Sequence, residues 1–137
     1  MLRFFTVLAV FLLAPVIAQA SSVADANAEL YFITPADGAT VKSPVLVRFG
    51  LKHMGVAPAG SDIANTGHHH LLIDTDLPDL NLPIPKDDRH MHFGGGQTET
   101  SLELSPGEHS LQLLLGDFSH IPHQPPVISQ RITITVE

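Results

Sequence analysis

Val45-Leu46-Val47-Arg48-Phe49-Gly50-Leu51-Lys52 is the stretch that decides the fold. Its apolar residues recur at every second position, so Val45, Val47, Phe49 and Leu51 share one face while Arg48 and Lys52 lie on the other. That is the period of a half-buried strand; a helix would scatter the same residues around its circumference. Upstream, Leu30-Tyr31-Phe32-Ile33 is a short apolar run stopped by the turn-forming Thr34-Pro35-Ala36-Asp37-Gly38. Downstream, the pattern predicts strands over 68–74, 98–104 (Leu102 and Leu104 inward), 109–115 and 127–136, the last with Ile128, Ile132, Ile134 and Val136 in step. Ser105-Pro106-Gly107-Glu108 separates two of them as a turn.

No clean helical period runs beyond residue 20, and Pro and Gly punctuate the chain at the spacing of an antiparallel sandwich. The expectation is one all-β domain over 29–137, an immunoglobulin-like antiparallel β-sandwich of about seven strands, with a small barrel or jelly roll as the alternative. Two connections, 53–67 and 75–97, are too long for hairpin turns, and loops of that length are usually functional or disordered. The second runs into Gly94-Gly95-Gly96, where the backbone can take positive φ and approach neighbours closely.

The chain begins with a different kind of segment. Arg3 precedes a nearly continuous apolar run, Phe4 to Ile17, and Ala18-Gln19-Ala20 has the small-x-small form of a cleavage site. Residues 1–20 read as a secretory signal peptide, with an uncleaved membrane anchor as the alternative. Residues 21–28 are small and polar and are expected to be a flexible leader. The expected location is periplasmic or secreted, with no membrane association after cleavage. Removing twenty of the 137 residues leaves 117, a single-domain length. Without Arg3, six basic residues face fourteen acidic ones, a formal charge of −8. That disfavours nucleic acid and anionic membranes as partners and suits cationic ligands. The absence of Cys excludes disulfides, thiol chemistry and thiolate metal sites.

Nine histidines stand out against this composition, eight of them between residues 68 and 123. Imidazole is the commonest protein ligand for transition metals. His68-His69-His70 and His90-Met91-His92 each contain an H-x-H pair, which on an extended segment places two imidazoles on one side. Two such pairs on neighbouring segments would supply three or four nitrogens, a set suited to Cu(II), Zn(II) or Ni(II). The candidate ligands are therefore His68, His70, His90 and His92, with His120 and His123 in reserve; His69 is expected on the opposite face. Met54 and Met91 are candidate thioethers, and Asp74 and Asp117 could orient an imidazole. His109, after its Pro-Gly-Glu turn, reads as a corner residue bonded to backbone. The bland alternative is that the histidines hydrogen-bond one another and staple the long loop to the sheet.

Three stretches carry a family resemblance. Asn65-Thr66-Gly67-His68-His69-His70-Leu71-Leu72-Ile73-Asp74, His90-Met91-His92-Phe93-Gly94-Gly95-Gly96-Gln97-Thr98-Glu99 and Pro106-Gly107-Glu108-His109-Ser110-Leu111-Gln112-Leu113 resemble a bacterial exported family known as domain of unknown function 4399, over about Leu30 to Val136. The resemblance implies a small secreted single domain and no particular activity. Pro35-Ala36-Asp37-Gly38-Ala39 with Pro44 to Phe49 is also similar to the first hairpin of bacterial immunoglobulin-like modules, periplasmic copper carriers among them. His90-x-His92 followed by Gln97 or Glu99 resembles the cupin metal motif, but Gln97 stands where the carboxylate is expected and a far-strand His has no equivalent.

The chain has no G-x-S-x-G, no H-E-x-x-H and no phosphate-binding glycine loop, so an enzymatic role is the less favoured reading. The leading expectation is an exported domain binding a divalent metal, copper ahead of zinc, for storage, delivery or protection. The alternative is a non-catalytic envelope module that binds a glycan or protein, its histidines forming a structural network or a pH switch.

Overall fold

A computed structural model describes residues 21–137; the expected signal peptide lies outside the described residues. Nine strands follow in order: β1 Glu29–Thr34, β2 Thr40–Val41, β3 Val45–Lys52, β4 Gly55–Val56, β5 Thr66–Ile73, β6 His90–His92, β7 Glu99–Leu102, β8 Gly107–Gly116 and β9 Ile132–Val136. No helix occurs among the described residues. The strands form two sheets, β1-β3-β7 and β2-β9-β8-β5-β4, with β6 paired to the free part of β5. The chain is an all-β sandwich, as the alternation predicts.

The inward residues of β3, Val45, Val47 and Phe49, are at most 3% exposed and meet Leu71, Ile73, Leu111, Leu113, Leu115, Ile132, Ile134 and Val136 of the larger sheet. Fully burying a side chain of this kind stabilises the fold by about 1.5–3 kcal/mol. The outward Arg48 and Lys52 stay half-exposed and pair with Glu99 and Glu29. The smaller sheet therefore shows water these ion pairs, along with the exposed Leu46.

The larger sheet differs: its outer face is also covered over β5 and the second half of β8. Loops after β5 and β8 lie over its outside, where Leu72, Leu114 and Ile84 form a second apolar cluster flanked by Leu80 and Ile128. Ile128, expected in step with β9, belongs to this outer cluster instead, because 127–131 is not strand. Strands β2, β4 and β6 were not predicted; each has two or three residues, too few for a period to register. Residues 21–28 also depart from the flexible leader expected of them. Gln124 N–H donates to Ser22 O at 2.9 Å, Ala24 N–H donates to Gln124 O at 3.1 Å, and Ala24 is buried in the main core.

Candidate metal centre

Strand β5 is buried from Gly67 to Ile73. Alternation splits its histidines: His69 shares the inner side with Leu71 and Ile73, and His68 and His70 share the outer side with Leu72. Antiparallel pairing then sets His92 of β6 directly opposite His70. Glycines clear the space these rings occupy. A Cβ on Gly116, which pairs with His68, would lie 2.9 Å from His70 Nε2, and one on Gly94 would collide with the His92 ring.

The fourth ring comes from the loop after β8. Asp117, 1% exposed, accepts the N–H groups of Ser119 at 2.9 Å and Ile121 at 3.0 Å through Oδ1. His120 sits between them at φ 67, its N–H donating to Asp117 O and its carbonyl accepting Ile84 N–H at 2.8 Å. A left-handed backbone at a residue other than Gly is uncommon and is held here by these bonds.

Four imidazoles thus face one another. His70 Nε2 is 3.0 Å from His68 Nε2, and His120 Nε2 is 3.1 Å from His92 Nε2. Ring centroids are 4.9 Å apart for 68–70, 5.1 Å for 68–92, 5.0 Å for 68–120, 5.1 Å for 70–92, 4.8 Å for 92–120 and 6.2 Å for 70–120. A square of rings with these edges would hold two diagonals of about 7 Å, the arrangement tetragonal Cu(II) prefers. Only one separation is long, so the rings stand nearer the corners of a tetrahedron. His68, His70 and His92 each offer a nitrogen within 4.8 Å of the others, close enough for one ion; His120 lies outside that set of three but beside it, its Nε2 3.1 Å from His92 Nε2. Two nitrogens on a tetrahedral Zn(II) at 2.0–2.1 Å stand about 3.3 Å apart, so small ring movements would admit the ion.

The electrostatics suit a cation held by neutral donors. Burial, reinforced by the neighbouring imidazoles, lowers the pKa of His68 to about 4 and that of His70 to about 2. That of His92 is lowered by burial, His120 and Lys86. His68 and His70 are neutral at neutral pH, the state a metal requires.

The family model described as Domain of unknown function (DUF4399) matches residues 47–137, which include every residue of this centre. The chain belongs to that family. No curated protein and no solved structure matches it.

Other histidines of this DUF4399 chain lie apart from the centre. His90, two register positions away opposite Leu72, turns its Nδ1 to Asp87 Oδ1 at 2.8 Å. His123 is buried, with Nε2 3.0 Å from Thr66 O. Neither joins the four rings, although each has the spacing that suggests a ligand. His69 packs on Phe49 with centroids 5.1 Å apart. Burial lowers its pKa to about 4; the Gln97 backbone opposes this, yet neither ring nitrogen makes a hydrogen bond of good geometry. His53 is exposed at φ 63.

Met54 and Met91 pack into the main core, so no thioether reaches the centre. The cupin-like reading fails on the same geometry: Gln97 folds back onto Gly95 N–H, and Glu99 pairs with Arg48 on the other sheet. Asp74 binds His109, which also faces Ser105 O at 2.8 Å, the backbone-bonded corner its turn predicts. Sequence spacing had no means of ranking His120 above His123, and the clearing roles of Gly94 and Gly116 carry no local signal.

Proposed function

We propose that this DUF4399 domain is an exported metal-binding domain that takes one divalent transition metal on His68, His70, His92 and His120, for storage, delivery or protection. The observation that carries the reading is the convergence of four imidazoles from three chain segments, with no carboxylate or carbonyl hydrogen-bonded to their rings to explain it as an ordinary cluster. The near-tetrahedral ring arrangement favours zinc over Cu(II), and the absence of sulfur ligands counts against Cu(I), reversing the order expected from the sequence. Four protein ligands would leave no open position, which suits holding an ion more than turning over a substrate. Isothermal titration of the chain from Ser21 onward with Zn(II) and Cu(II), beside a His68→Ala/His70→Ala variant, tests this. Stoichiometric binding lost in the variant is expected; equal, weak binding by both proteins overturns it.

A second reading has its own observation. The Nε2···Nε2 separations of 3.0 and 3.1 Å are also hydrogen-bond lengths, so two imidazole pairs could staple β5, β6 and the 117–124 loop without an ion. In that case the domain is an envelope module for a glycan or protein. A chelator leaves its melting temperature unchanged, whereas a bound metal raises it.

A further inference from the structure

Three of the four rings are carried by paired strands, two on β5 and one on β6; only His120 is carried by a loop. Resting on the metal reading above, we infer that Asp117 is the positioning residue for this fourth ligand and that residues 22–24 are the strap that keeps Asp117 in place.

The carboxylate of Asp117 divides its work between two segments. Oδ1 accepts the N–H groups of Ser119 and Ile121, the residues on either side of His120. Oδ2 accepts Ser22 N–H at 3.2 Å and Ser22 Oγ–H at 2.9 Å. The strap is fastened further along by the paired bonds between Ser22, Ala24 and Gln124 and by Ala24 in the main core. Removing the Ser22 hydroxyl leaves Oδ2 with a single long donor. The carboxylate then keeps its two Oδ1 bonds but loses its shortest tie to the strap, and the turn that carries His120 at positive φ is loosened.

Charge points the same way. Asp117 is buried, its side chain is held by neutral donors only, and it forms no ion pair among the described residues. A carboxylate buried without a cation is costly. A cation bound by His120, three residues along, would offset part of that cost.

The test compares Ser22→Ala, Ser22→Thr and His120→Ala with the parent chain from Ser21 onward, with His90→Ala as a control outside the centre. Zn(II) affinity is read by competition, and Cu(II) serves as a probe whose electron paramagnetic resonance counts coordinated imidazoles. Ser22→Ala is expected to weaken Zn(II) binding about 10- to 100-fold, the usual effect of removing a group that orients a ligand. Its Cu(II) spectrum should lose one nitrogen and match that of His120→Ala, and Ser22→Thr, which keeps the hydroxyl, should restore both. A Ser22→Ala protein that melts earlier but keeps the parent affinity and spectrum overturns the strap and leaves the metal centre standing. A parent that binds neither ion overturns the metal centre and the strap with it.

Discussion

Two groups of imidazoles in this molecule are built on opposite rules. At the His109–Asp74 corner both ring nitrogens face oxygen: Nδ1 is 2.7 Å from Asp74 Oδ2 and Nε2 is 2.8 Å from Ser105 O. Two acceptors facing the two nitrogens favour the protonated ring, and the Asp74 hydrogen bond raises its pKa. Burial alone would raise Asp74, but the bonds from His109 and Ser110 N–H outweigh it and hold the carboxyl below its usual range. At the His68–His70–His92–His120 centre no oxygen takes part; the nitrogens face one another, and the pKa values of His68, His70 and His92 fall. The corner brings its own counter-charge. The centre gathers imidazoles from three segments with no side-chain carboxylate bonded to them, and that difference marks it as a candidate site.

The centre also lacks the oxygen acceptors that usually orient a ligating imidazole. Nδ1 of both His68 and His70 is without a partner. Shape does this work instead, because the His70 ring fits over Gly116 and the His92 ring over Gly94.

The largest effect that could break the comparison is removal of a buried ligand. His70→Ala should weaken Zn(II) binding by more than about 100-fold, beyond the range for an orienting group. An affinity measurement that finds it unchanged would merge centre and corner into one structural class.

Acid separates the two regions by sign. A ring whose folded pKa is lowered takes up its proton more readily in the unfolded chain, so stability drops as pH falls. The metal-free protein should therefore lose stability as pH falls from 6.5 towards about 4, through His68 and His69, with His70 continuing to about 2. His109 acts oppositely: its contribution is present below 6.5 and is lost as pH rises through its raised folded value. Asp74 contributes above 3.8 and loses its part as pH falls through its lowered value. Urea melts across pH should show the alkaline loss vanish in His109→Ala and the acid loss between 6.5 and 4 persist.

A smaller change sharpens the claim about shape. Gly116→Ala puts a methyl group 2.9 Å from His70 Nε2 and should weaken Zn(II) binding about 10- to 100-fold, as loss of an orienting contact does. Smallest is His109→Ala, expected to cost about 1–2 kcal/mol from its charged hydrogen bonds and to leave metal affinity unaltered. Calorimetric titration and melts check both.

Much of this was legible in the sequence, for reasons that also set its limits. The alternation of Val45 to Lys52 is a strand period long enough to read, and the same rule puts His68 and His70 on one side of β5 and His69 on the other. What alternation cannot supply is register. His92 reaches the centre because it pairs with His70, and His90, on the same side, lands two residues away beside Asp87. A three-residue strand inside a long connection leaves no trace that would fix that pairing. His120 and His123 share one short loop, and only its backbone turn, closed by Asp117, sends the first to the centre and the second to the Thr66 carbonyl. The motifs around these residues resemble one family, and the match over 47–137 shows that membership.

X-ray absorption of the zinc-loaded chain from Ser21 onward would test the account most directly. It predicts four imidazole nitrogens at about 2.0–2.1 Å and no sulfur. Zinc that washes out, or that sits in a shell dominated by oxygen, would contradict it.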